Sequence, residues 1–392
     1  MPYYRAVGDI PRKRHTVHRV DGDVAFEELM GTEGFSGASA LLYHRHSPSA
    51  IVRIEPAEAT EPVFHANMPL RPHHLRTTDL ATNLANSGAP ADPVLGRVAL
   101  LGNADVVMSV ARSTTSSGLY RDAVGDELVY VQSGSAVLES VFGALAVHAG
   151  DYIVIPMSTT HRWVVADSVE LLVISARGHI SVPHRYVNST GQLLEGAPFS
   201  ERDLRGPSGE PLVVDGANVP VLVRTRAGRT VHVHARHPFD VIGWDGCLYP
   251  WALNIADFEP IVGRIHQPPP VHQTFAGSGF VICSFVPRLF DFDPDAVKVP
   301  YHHANVETDE MLFYSAGNFM SRAGSGIGVG SISLHPAGFV HGPQPGSFER
   351  SIGVDRTEET AVMLDAFSPL GLSDAAVSVS DPEYPWSWSR TR

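Results

Sequence analysis

Apolar residues in this chain gather in many short runs, and no long stretch carries helical periodicity. Residues 98–101, 106–110, 127–131 and 152–155 are each apolar enough for one buried β-strand. The pattern returns in the C-terminal half at 280–286, 311–314 and 360–367, while 41–45 reads as a strand near the start. Thirty-five glycines and thirty prolines separate these runs, which predicts an all-β chain with frequent turns. Its 392 residues exceed one small domain. The expected division is an extension with short strands over 1–90, a β domain plus connector over 91–236, and a second β domain over 237–392. The aromatic and proline-rich segment 238–258 predicts a tightly packed junction between the halves.

Residues 301–341 concentrate the chemistry. His303 is followed by Asn305, Glu310, an apolar run and Gly317. After a glycine-rich turn come Gly330, His335, Pro336, Gly338 and His341. These two pieces resemble the paired hairpin motifs of a cupin barrel, G-x5-H-x-H-x(3,4)-E-x6-G and G-x5-P-x-G-x2-H. The second piece fits throughout, whereas Asn305 stands where the first motif has its second histidine. The resemblance leaves His303, Glu310 and His341 as metal ligands. Two imidazoles and one carboxylate suit Fe(II) and O2 chemistry, because they leave several coordination positions open. Strand alternation turns Asp309 away from Glu310, and His302 away from His303. Glu307 would serve only under a His-x3-Glu spacing that fails at Gly317.

A damaged copy of the same pattern runs from Glu127 and Gly134 to Gly150, Pro156 and His161, with Arg121, Asp122 and Ala123 where imidazoles are expected. That half is therefore read as a metal-free scaffold barrel, and the whole chain as a bicupin with one live site. His44 with His46, and His232 with His234, each share a strand face but lack a third ligand in sequence. The basic run 12–15 is too short and isolated to mark a phosphate site and reads as part of a solvated arm.

Composition narrows the class. The chain is 43% hydrophobic and 18% charged, enough for a buried core. A net charge of −13 argues against nucleic acid or an anionic membrane as partner. Two cysteines, Cys247 and Cys283, cannot form a disulfide framework, which favours a reducing compartment. With no apolar leader and no apolar run of membrane-spanning length, a soluble, cytoplasmic protein is expected.

The surroundings of the motif are similar to those of the homogentisate 1,2-dioxygenase family. The similarity is strongest from about residue 239 to 346, including Phe239–Gly246, the His266 segment, Val286-Pro-Arg288, Pro300 to Asn305 and Leu334 to Pro343. It implies an Fe(II)- and O2-dependent enzyme that opens a hydroquinone ring, and a homo-oligomer, trimer or hexamer. It implies His266 as base on a substrate hydroxyl and His335 as a second catalytic histidine in the pocket. Arg288 is a candidate partner for a substrate carboxylate. The chain departs from the family at Ala316 and Phe319, where an arginine and a tyrosine line the substrate pocket. That departure puts the acetate-bearing ring in question, so gentisate or another substituted hydroquinone stays open. From the residues alone, His272 is as good a base as His266. Two further classes remain: a cupin isomerase or hydrolase using Zn, Mn or Ni, and a non-catalytic bicupin that senses a small ligand.

Overall fold

Strand alternation organises the C-terminal half. A computed structural model of the chain describes residues 3–57, 61–80 and 91–389. In it Phe280–Phe285, Thr360–Ala366, Asp309–Ala316 and Ile332–His335 pair antiparallel, in that order, within a seven-stranded sheet. Along these strands Phe280, Ile282, Met311, Phe313, Val362 and Leu364 enter the main core. Their neighbours Val281, Cys283, Leu312, Tyr314, Ala361 and Met363 face a pocket on the opposite side. The period of two thus builds a core face and a pocket face from the same strands.

The N-terminal half folds the same way around Glu127–Ser140, which pairs with Val169–Ala176, Gly143–His148, Asp151–Ile155 and His161–Val164. Both halves use a glycine where the first motif ends. Gly134 and Gly317 sit at φ +78° and +87°, and a Cβ on either would strike the carbonyl of Ser168 or Glu358. The described chain is an all-β cupin fold, with only short helices such as Ser347–Ser351 and Asp374–Ser378.

The two sheets share one apolar core. Tyr130 packs on Tyr152 and Phe313, and Tyr152 packs on Phe275, with centroids 5.1–6.2 Å apart. The Tyr130 and Tyr152 hydroxyls reach Ser315 and Ser284 of the other half at 2.7 and 2.9 Å. The junction segment is as packed as expected: Phe239, Trp244, Tyr249, Trp251 and Phe258 are all buried.

The sheets do not respect the boundaries drawn from sequence. Val241–Gly246 pairs with Ser39–His44 and Arg5–Gly8, and Trp251–Asn254 pairs with Asp151–Ile155, so these two strands belong to N-terminal sheets. In return His73–Leu75 adds to Ile332–His335, and Ile180–Ser181 adds to Gln273–Gly277. Edge pairing is made by backbone groups at long sequence separation and leaves no residue signature. The boundary at residue 90 itself abuts 81–90, which lie outside the described residues.

In the N-terminal barrel Glu127 is buried, and the Arg97 guanidinium holds its carboxylate by both oxygens. His161 and Tyr120 flank that pair, edge to face at 5.5 Å. A fixed cation of the chain thus neutralises the carboxylate. Replacing Arg97 by Met leaves Glu127 buried without a counter-charge, and stability should fall by about 3–5 kcal/mol in urea unfolding. The double variant Arg97→Met/Glu127→Leu should recover most of that loss.

Candidate metal centre

Pro336 and Gly338, the latter at φ +78°, turn the chain so that His341 runs beside His303. Two backbone hydrogen bonds of 2.8 Å, one in each direction, lock the two residues together. Glu310 comes from the pocket face of Asp309–Ala316 and meets both rings. His303 Nε2 lies 3.7 Å from one carboxylate oxygen and His341 Nε2 3.3 Å from the other. One ligand atom from each of the three residues falls within 4.8 Å of the others, the sole such cluster among the described residues.

The donor set fits a cation. His303 Nδ1 and His341 Nδ1 lie 3.0 and 3.2 Å from the carbonyls of Tyr301 and Phe339. A carbonyl only accepts, so each Nδ1 carries the proton and each Nε2 turns a lone pair inward. His341 Nε2 is buried without a hydrogen-bond partner. Two imidazole lone pairs and a carboxylate that converge with no donor between them suit a divalent ion. Burial by itself would raise the Glu310 pKa, but the three histidines around it, His303, His335 and His341, hold it well below the usual range.

The rival carboxylates are accounted for. Asp309 accepts from the amides of Ala337 and Leu370, so it braces the turn rather than facing the site. Glu307 and His302 are exposed. Asn305, in place of the missing histidine, donates from Nδ2 to Glu310 at 3.5 Å and to Asp365 at 3.3 Å.

The centre closes a pocket of about 420 Å3. His266 and His272 both line it, and geometry does not choose between them. His266 is half-exposed, with Nδ1 3.6 Å from Asp291 and its ring edge-on to Tyr301. Burial and the neighbouring Arg288 push His272 down to about 3, so it is neutral at ordinary pH. Arg288 lines the wall, its charge disfavoured by burial and opposed by Glu359 at 3.9 Å.

Two expectations need correction. His335 does not line the pocket. It is wholly buried behind Glu310, because the strand delivers its ring toward the C-terminal tail. Phe319 also stays out of the lining: it packs edge-on against Tyr314 at 4.9 Å, and Ala316 is exposed. A cation and a phenol are nevertheless present. Arg322 and Tyr314 line the pocket, with Arg322 Nε donating to the Tyr314 hydroxyl at 3.2 Å and Nη1 to the Gly342 carbonyl at 2.8 Å. Asp365 is a further group that sequence reasoning missed; burial and the charge of Glu310 raise its pKa to about 7. Tyr314 and Asp365 follow from strand alternation, but Arg322 sits in a 3-10 turn with no pattern to announce it.

Such an arrangement defines a class: a cupin whose barrel gathers two histidines and a carboxylate at the closed end of a pocket. The chain is 39% identical over 392 residues to a Saccharolobus solfataricus protein named "putative dioxygenase", spanning 99% of both, and it belongs to that dioxygenase family of cupin proteins. It is also 23% identical over 264 residues to homogentisate 1,2-dioxygenase of Emericella nidulans, covering 64% of this chain and 57% of that one. A solved cupin-2 domain protein from Shewanella frigidimarina aligns with 25% of this chain and 92% of its own, at 14% identity and a TM-score of 0.22. No family model matches the chain. No helix of the described residues is long and apolar enough to cross a membrane.

The basic run and the His44 cluster have structural partners. Arg14 bonds Asp245, and His15 lies 2.7 Å from Glu27. His232 and His234 gain no third ligand. His44 lies between two carboxylates, Nδ1 at 2.6 Å from Asp240 and Nε2 at 2.9 Å from Glu28. Burial would lower its pKa, but those two hydrogen bonds raise it to about 9. A raised folded pKa gives stability that is complete below the unfolded value near 6.5 and is lost as pH climbs through about 9. Urea midpoints of wild type and His44→Gln should therefore differ most at pH 6 and converge by pH 10.

Proposed function

We propose that this protein is an Fe(II)- and O2-dependent ring-cleaving dioxygenase for a hydroquinone-type aromatic such as homogentisate. The observation that carries the reading is the convergence of His303, Glu310 and His341 on one point, with His303 and Glu310 lining the pocket. His303, Glu310 and His341 would hold the metal. When bound, Fe(II) supplies the redox chemistry that joins O2 to an electron-rich ring. The pocket's own residues do the rest. His266 takes a phenolic proton, a step for which an imidazole is suited. The apolar wall of Val281, Leu312, Ala361 and Met363 receives the ring face and keeps water from it. Arg322 and Arg288 favour a ring bearing a carboxylate, each offering donors in a planar fork. That feature supports homogentisate or gentisate over plain hydroquinone, despite Ala316 and Phe319.

The same proposal includes assembly into trimers or hexamers, supported by exposed Tyr301, Val340 and Phe348, which line one surface groove, and by exposed Trp386. Sedimentation velocity reads the mass directly.

Protein reconstituted anaerobically with Fe(II) should consume O2 with homogentisate or gentisate and develop a new ultraviolet band, with plain hydroquinone slower. Activity should vanish in His303→Ala, Glu310→Ala and His341→Ala along with the bound iron. In His266→Gln, iron should be retained while turnover drops by about 10²–10⁴. Silence with all three ring substrates in protein holding one iron per chain would remove the hydroquinone reading. Preference for Zn or Mn over Fe(II), without O2 uptake, would favour an isomerase or hydrolase.

A further inference from the structure

The residues around Glu310 are asymmetric. Its pocket side meets His303 and His341, while its back meets His335, whose Nδ1 lies 2.9 Å from Oε1. His335 has no exposed surface and stacks on the His341 ring at 4.1 Å and 19°. On its far side Nε2 lies 2.9 Å from the Tyr384 hydroxyl, which is also buried. A carboxylate only accepts, so Nδ1 donates toward Glu310. The remaining lone pair of the neutral ring, on Nε2, accepts from Tyr384. Hydroxyl, imidazole and carboxylate form one directed chain in which each group has its preferred partner.

Tyr384 arrives from the last turn of the chain, which is tied down at both ends. Asp381 accepts from Arg76 at 2.6 Å, and its amide donates to the His74 carbonyl at 2.8 Å. Trp388 Nε1 donates to the Gly342 carbonyl at 3.0 Å, next to His341. Gln344 donates to Ser387 at 2.9 Å. The Tyr384 and Trp388 rings therefore sit against the motif that carries His341, packing on His335 and Phe339.

We propose that His335 and Tyr384 are positioning residues: they fix one rotamer of Glu310 for the metal, which makes the C-terminal tail a working part of the centre. The inference rests on reading His303, Glu310 and His341 as metal ligands. Groups that hydrogen-bond a metal ligand from behind set its orientation and basicity, and their loss weakens metal binding by about 10–100-fold. A plug that merely filled space would need the Tyr384 ring but not its hydroxyl.

The test is anaerobic Fe(II) affinity, by competition with a chromogenic chelator, in wild type, Tyr384→Phe, His335→Gln, His335→Leu and Glu310→Gln. Tyr384→Phe removes one oxygen and should keep the thermal midpoint while weakening Fe(II) binding roughly tenfold. His335→Gln, which retains a donor toward Glu310, should bind more tightly than His335→Leu. With a ring substrate, Tyr384→Phe should lower kcat at saturating iron with little change in KM. Wild-type affinity in Tyr384→Phe and His335→Leu, beside lost binding in Glu310→Gln, would overturn the positioning role alone. Undiminished affinity in Glu310→Gln would overturn the centre itself, and the positioning role with it.

Discussion

Everything at the working end of this protein follows from burying one carboxylate in the wall of a pocket. Glu310 is almost wholly buried, on a strand whose other face is packed with Met311 and Phe313. An isolated carboxylate in such a place would cost many kilocalories, so the fold has to surround it with compensating groups. His335 donates from behind, Asn305 from the side, and His303 and His341 close the front with inward lone pairs. The front cannot be satisfied by the protein alone in its neutral tautomers. That frustration, local and directed, is what a metal site looks like from the point of view of hydrogen bonding.

The N-terminal barrel solves the same problem by other means. Glu127 occupies the position of Glu310 on the matching strand and is equally buried, yet Arg97 reaches it with a two-point fork. The guanidinium brings a permanent charge and its own donors, so the carboxylate is balanced without an ion. Two barrels with the same hairpin geometry thus diverge through the cation they use. One holds a side chain that cannot leave, and the other keeps a site that an exchangeable ion can fill.

Much of this was legible in the residues. Short apolar runs between glycines and prolines gave the strands, and motif spacing singled out His303, Glu310 and His341, which the fold brings together. Spacing works for these because hairpin length and strand period fix which side chains share a face. It failed for His335, whose position on its strand is correct but whose ring turns toward a tail about fifty residues away. It failed for Arg322 and Tyr384 for the same reason: their roles arise from contacts between segments that share no local pattern. Ala316 and Phe319 misled in the opposite sense, because the pocket's cation comes from another turn of the chain.

The crossing of the sheet boundaries gives that failure a structural meaning. His73–Leu75 hydrogen-bonds to the strand that carries His335, and Arg76, next in sequence, anchors Asp381 of the tail that carries Tyr384. The segment leading out of the N-terminal region therefore supports the C-terminal barrel along its edge and clamps the tail behind Glu310. Val241–Gly246 and Trp251–Asn254 bind the halves together from the other direction, through sheets built on N-terminal strands. Neither half can bury its edges alone, and an open edge exposes unpaired backbone groups to water and to other chains. Completion of the carboxylate's surroundings is thereby coupled to the exchanged edges, since the segment that pairs with the His335 strand also anchors the tail carrying Tyr384.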